Sequence, residues 1–264
     1  MIHYNIYPSL LDSYDNYLKA WNIYDKYWGN SDAPPFTYEE FAQQSFQDLI
    51  DKINRVKRDL IKADIGTAFN EIVDCMVLGQ KSDKMEIDKV LQEGRVVEIK
   101  AHYNCRTFSF PIEMCRLFAN LYSGAIPQML VEGEIDTSFG SVRLYGYLDE
   151  LLPMKVCDIK TTGSYESFKF KGNNQHLVYP YCLRRMGNDI DLFSYDVAHI
   201  KSNITKDDPS PKDVHVSFLG YYREEYGYIP ERDEPILRKR IESFISFLEC
   251  NRHLITDKKI FNDL

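Results

Sequence analysis

Gly146-Tyr-Leu-Asp149-Glu-Leu-Leu-Pro-Met-Lys-Val-Cys-Asp158-Ile-Lys160-Thr-Thr162 is the stretch on which the fold turns. Its flanks are rich in aromatic and branched apolar residues, and Pro153 interrupts them in the middle, which predicts a β-hairpin. A turn centred between Pro153 and Met154 sets Asp149 opposite Asp158, with Cβ atoms about 4.5–5.5 Å apart. Alternation along the second strand places Asp158 and Lys160 on one face. Two like charges directly opposed are unfavourable, so the pair predicts a cation between them.

Outward from the hairpin, the N-terminal half reads as helical. Residues 9–28 carry Leu11, Tyr14, Leu18, Trp21 and Tyr24 at helical spacing behind Ser9 as a candidate cap. Residues 32–37 form a proline-containing loop, and 38–62 read as one long helix or two short ones. Gly66 then opens a helix whose stripe is Phe69, Val73, Met76 and Val77. Residues 86–99 are ambiguous, and 111–122 read as helix. Strands follow at 129–135, 142–151 and 155–161, a helix at 174–186, strands at 193–200 and 214–222, and a last helix around 235–254. This order predicts an α/β or α+β fold with a central mixed β-sheet flanked by helices.

The totals exclude more than they select. At 264 residues the chain can bury a substantial core, and 44% hydrophobic with 27% charged residues is ordinary for a globular protein. The net charge of −8 provides no global basic field, so any nucleic-acid contact must use local patches. Six scattered cysteines without a CxxC pair give no spacing for zinc or for an iron–sulfur cluster. The N-terminus lacks a basic-then-apolar signal pattern and no apolar run reaches about 18 residues, so the expected location is cytoplasmic, without membrane association.

Three further residues join the hairpin as candidates. Glu71 is polar within an otherwise apolar helical segment, where by itself it reads as a solvated residue. Gln175 and Tyr179 are i and i+4 on a later helix, hence on one face, and by themselves they read as an amphipathic rim. If these groups converge, Glu71, Asp149 and Asp158 bring three negative charges against one from Lys160. Each close carboxylate pair would cost about 4 kcal/mol at an effective dielectric near 20. Magnesium or manganese, which prefer oxygen ligands, would relieve that excess and activate water for phosphodiester hydrolysis. Lys160 would orient or deprotonate the attacking water, or stabilise the charge of the transition state.

In this order, Gly66-Thr-Ala-Phe-Asn-Glu71, Gly146-Tyr-Leu-Asp149, Asp158-Ile-Lys160-Thr and Gln175-His-Leu-Val-Tyr179 resemble the motifs of RecB-like and lambda-type exonucleases in the PD-(D/E)XK superfamily. The match covers roughly residues 60–185, and residues 7–14 resemble that group's short N-terminal helix. The resemblance implies a restriction-endonuclease-like core in a single nuclease domain over 1–264. Within it, 1–60 would be a helical extension, 61–200 the catalytic core, and 201–264 a C-terminal strand and helix. It implies that Glu71, Asp149 and Asp158 bind Mg or Mn with the carbonyl of Ile159, that Lys160 is the catalytic lysine, and that Gln175 and Tyr179 position DNA or the lysine. It also implies exonuclease action on DNA in recombination, repair or phage DNA processing, with a recombination or single-strand-annealing protein as candidate partner. It leaves the oligomeric state open. Many members place histidine where this chain has Asn70, and iron–sulfur members carry cysteines where this chain has Asn16 and only Cys250, so no cluster is expected.

For nucleic acid, the basic run Lys52, Arg55, Lys57, Arg58, Lys62 and the loop Phe168-Lys169-Phe170-Lys171 are the candidate contacts, against the plainer reading of a solvated helix face and a loop. Arg238-Lys-Arg240 reads as helix surface, and His102, His176 and His199 show no ligand spacing. Two alternatives compete with a nuclease. One is a non-catalytic nucleic-acid-binding protein retaining the fold. The other is an unrelated α/β enzyme whose Asp–Lys pair is only a salt bridge, in which Glu71 would lie apart from the hairpin.

Overall fold

Nine strands form one mixed sheet in the computed structural model, which describes residues 2–261. A short strand β1 (Ile2–Ile6) precedes three helices: α1 (Pro8–Leu18), α2 (Ala20–Trp28) and α3 (Tyr38–Ile53). Then come α4 (Ile61–Leu78), strands β2 (Glu86–Gln92), β3 (Arg95–Tyr103) and β4 (Arg106–Pro111), and α5 (Ile112–Leu121). The centre of the molecule follows with β5 (Ile126–Thr137), β6 (Gly140–Leu152) and β7 (Lys155–Thr162). Helix α6 (Gln175–Arg185), β8 (Leu192–Ser202), β9 (Asp213–Gly227) and α7 (Pro230–Cys250) complete it. The strand order is β1-β6-β7-β8-β9-β4-β3-β2, with β5 on the other side of β6.

The period of two along the central strands divides the interior into two cores. On β7, Val156 packs into one cluster while Cys157 and Ile159 pack into the other. On β8, Phe193, Tyr195 and Val197 join the first and Ala198 and Ile200 the second. Helices α1, α3, α6 and α7 cover the first face, and α4 and α5 the second. The architecture is therefore α/β, with helices on both faces of a large mixed sheet, as the alternation of helical and strand patterns predicts. No helix among the described residues is long and apolar enough to cross a membrane.

Local chemistry explains where the boundaries depart from the pattern. Pro8, not Ser9, starts α1: its fixed φ suits the first helical turn and its missing N–H costs nothing there. Residues 38–62 divide into α3 and the start of α4. Thr37 and Glu40 form a capping box at the head of α3, and the chain leaves the helix through Arg55 at φ 54°. Gly66 lies inside α4 rather than opening it, at a point where a Cβ would sit 3.4 Å from Thr161 Oγ1 on β7. The ambiguous 86–99 segment is a hairpin whose two-residue turn, Glu93-Gly94, has φ of 50° and 75°, the signature of a tight primed turn.

Candidate active site

The hairpin of β6 and β7 pairs Leu152 with Lys155, Leu151 with Val156 and Glu150 with Cys157, the register that the Pro153–Met154 turn predicts. The ladder stops there. At the next position Asp149 Oδ2 accepts the backbone N–H of Ile159 at 2.7 Å, so a carboxylate stands where a strand carbonyl would. Asp158 and Lys160 share a face, as predicted, with Lys160 Nζ 2.6 Å from Asp158 Oδ2.

Gln175 completes this group. As the first residue of α6 it donates through Nε2 to Asp158 Oδ1, and its Oε1 accepts from Lys160 Nζ at 2.8 Å. An amide presents one donor and one acceptor end, and here each end has the partner that fixes its orientation. Tyr179, one turn further on, is buried beneath the strand at Gly146, where a Cβ would stand 2.7 Å from the ring. Glycine is needed there to admit the ring.

The start of α6 is clamped from two other helices. Asp12 Oδ1 on α1 accepts from the backbone N and from Nδ2 of Asn174 at 2.6 and 2.9 Å. Arg240 on α7 donates to Asn174 Oδ1 at 2.8 Å and lies 3.6 Å from Asp15. Burial raises the Asp12 carboxyl, and Lys160 is among the charges that oppose the rise. Asp12 and Arg240 thus belong to the support of the site. Asp12 lies within residues 7–14, where the sequence gives it no separate signal, and Arg240, which reads as helix surface, is instead part of this clamp.

Burial, then the neighbouring Asp158 charge, pushes the Asp149 carboxyl up to about 8. Asp158 is also raised by burial, against the pull of Lys160 and Gln175. Burial works against the Lys160 charge, yet Asp158 and Asp149 outweigh it and hold the ammonium protonated above its usual range. One lysine therefore faces two acids.

Glu71 does not complete the set. Its Oε1 accepts from Ser82 at 2.6 Å and its Oε2 from Lys84 at 2.7 Å, so both oxygens turn toward the segment after α4. Among the described residues no three histidine, cysteine or acidic side chains are gathered so as to hold a metal ion. Helix phase is the reason: Gly66, Asn70 and Asp74 are spaced i, i+4, i+8 and share a stripe, while Glu71 is turned 100° from Asn70. That stripe meets the hairpin, with Gly66 at Thr161 and with Asp74 among the charges acting on Asp149 and Glu150. Asn70 Oδ1 is buried with no donor. Asp74 and Glu150 are themselves buried and set against each other, with Gln128 also bearing on Asp74, and burial pushes them up to about 6 and about 9. Sequence reading missed both, although Glu150, an acid within an apolar strand, was a visible signal.

The candidate nucleic-acid contacts divide. Lys62 and Lys169 line one groove beside the end of β7. Arg58 is spent on Asp48 and Asp51 at 2.8 and 2.6 Å, and Lys171 is exposed outside the groove. Phe170 packs on the core with its ring 5.4 Å from Tyr195, so only Phe168, 63% exposed, is free to stack.

No protein-family model matches this chain, and no curated protein matches it. Among solved structures, the crystal structure of SSO0001 is similar with a TM-score of 0.41 at 12% identity, covering 94% of this chain and 77% of that one. A likeness so slight carries no argument about activity.

Proposed function

We propose that this protein is a Mg- or Mn-dependent deoxyribonuclease that hydrolyses DNA phosphodiester bonds, with a restriction-endonuclease-like core of the PD-(D/E)XK type. The observation that carries the reading is the closed set of contacts among Asp158, Lys160 and Gln175, set against Asp149 where the hairpin ladder ends. A salt bridge that served stability alone would not need a second, mutually destabilising carboxylate. The donors fit a hard divalent cation in kind: they are oxygens, in excess of the one positive charge facing them, with the orphaned Asn70 Oδ1 on the adjoining helix stripe.

Asp149 and Asp158 would hold the ion, joined by the Ile159 carbonyl as the resemblance implies. Glu71, engaged by Lys84 and Ser82, would need to exchange those partners to take part. The ion, when bound, supplies Lewis acidity and an activated water. The residues of the chain do the rest. Lys160, kept protonated by its two acids, acts as a fixed positive charge toward a phosphoryl oxygen more readily than as a base. Gln175 holds both Asp158 and Lys160 in place, and Tyr179 backs Gln175 through the buried turn of α6. Exonuclease action in recombination, repair or phage DNA processing, alone or with an annealing partner, rests on the resemblance.

The position of Glu71, whose oxygens face Ser82 and Lys84, favours a second reading, an unrelated α/β enzyme whose Asp–Lys pair is only a salt bridge. Cleavage of end-labelled linear and circular duplex DNA with Mg or Mn, wild type beside Lys160→Ala, separates the two. Degradation of linear DNA alone, lost in the variant, establishes an end-dependent nuclease, and cutting of both an endonuclease. Absence of cleavage with retained DNA binding supports a non-catalytic nucleic-acid-binding protein, and absence of both supports the unrelated enzyme.

A further inference from the structure

The hairpin ends at a groove of about 1060 Å³ whose composition is opposite to that of the protein as a whole. The chain carries −8, yet Lys62, Lys169, Lys201 and Lys206 line this groove and no aspartate or glutamate does. Lys169 is tied to the end of β7 through Thr162 Oγ1 at 2.8 Å and the Ser164 carbonyl. Lys62, Lys201 and Lys206 form no ion pair among the described residues and are exposed. Lysines left unneutralised in an acidic protein, gathered on one concave surface, concentrate a positive potential that a polyanion would relieve.

Position and lining narrow the ligand. Strands β7 and β8 run parallel, and both end here, at Thr162 and Ser202, so the groove lies at the carboxyl ends of neighbouring parallel strands where open α/β sheets bind ligands. Thr161 faces α4, whereas Thr162, also in the groove lining, shares the face of Asp158 and Lys160 by the period of two, so a chain lying in the groove reaches the end of the strand that carries Lys160. Ile65 and Ile200 line the groove as buried apolar side chains, with Ile61, Ile204 and the exposed Leu219 also on its wall. Lysines beside apolar side chains suit a single strand whose phosphates lie on the lysines and whose bases turn inward; a duplex keeps its base faces stacked and opens only their edges in the grooves.

We propose that this groove binds one single strand of nucleic acid leading to the hairpin, with Lys201, near the end of β8, and Lys206, on the loop that follows it, as phosphate contacts. The proposal deepens the nuclease reading and rests on it. The test is fluorescence anisotropy with labelled oligothymidylate and with a labelled duplex, in EDTA over a salt series. It compares wild type, Lys201→Ala/Lys206→Ala and, as a control on α7, Lys239→Ala. Lys201 is an exposed residue near the end of β8 and Lys206 an exposed loop residue, and neither forms an ion pair among the described residues, so the double variant should fold. The expected result is a salt dependence of log K for the single strand shallower by about 1.4, two contacts at about 0.7 each. With Mg, KM for cleavage should rise at least tenfold and kcat should hold, while Lys239→Ala matches wild type. If wild type binds and cleaves but the double variant keeps its slope and KM, the groove assignment falls and the nuclease reading stands. A loss as large for duplex as for single strand overturns the single-strand assignment. If wild type neither binds nor cleaves with either metal, the nuclease reading itself fails, and the groove assignment with it.

Discussion

Asp158 and Asp196 sit on neighbouring strands, both buried, and their surroundings could hardly differ more. Asp196 is saturated: Tyr122 and Tyr221 donate their hydroxyls at 2.8 and 2.7 Å, and Arg223 grips both oxygens at 2.6 and 3.0 Å. Charge and hydrogen-bonding capacity balance, which is what a buried acid needs to be tolerated. Asp158 shares its single lysine with Asp149, and both carboxyls are raised. A saturated acid has no capacity left for a ligand, whereas an under-neutralised pair can take up a cation.

The largest expected effect contrasts the two acids through their cations. Lys160→Ala should lower cleavage by about 10²–10³-fold, the usual loss for a fixed charge stabiliser, while the melting temperature changes little because its raised acids can take up protons. Asp158→Asn should lose cleavage and metal affinity together. Arg223→Ala should do the reverse, costing about 3 kcal/mol of stability, the low end for a broken buried pair because Arg223 is 29% exposed. Activity per folded molecule should survive. Denaturation and cleavage measured on the same preparations decide whether the contrast holds.

The pH dependence sharpens it next. Asp149 is raised from 3.8 to about 8, so the folded protein keeps a proton that the unfolded chain releases. Stability should therefore fall as pH rises through that window. Asp149→Asn should flatten this fall. Mg or Mn at about 100 times its Kd should restore about 2.7 kcal/mol, more at pH 8 than at pH 6, because only ionised carboxylates bind it. Melting curves across pH with and without metal check both statements.

Smaller effects concern the support. Gly146→Ala would press a methyl group 2.7 Å from the Tyr179 ring and should cost about 1–3 kcal/mol, with a modest drop in rate as α6 shifts. Gln175→Ala should slow cleavage less than Lys160→Ala, since it removes an orienting contact and not the charge itself. Single-turnover rates rank these variants.

The hairpin register, the shared face of Asp158 and Lys160, and the i, i+4 alignment of Gln175 with Tyr179 were legible in the sequence. Each follows from a turn position or a period that acts over a few residues. The alternation of patterns likewise gave the α/β class. The choice between Glu71 and the Asn70–Asp74 stripe was not legible, because it depends on the angle at which α4 crosses β7, which no local pattern encodes. The clamp on Asn174 joins residues 162 and 66 positions apart in sequence, and the groove draws its lysines from three separate segments. Spacing along the chain determined which residues share a surface. Only packing between distant elements decided which surfaces meet, and so which acids are neutralised and which are left to share a single lysine.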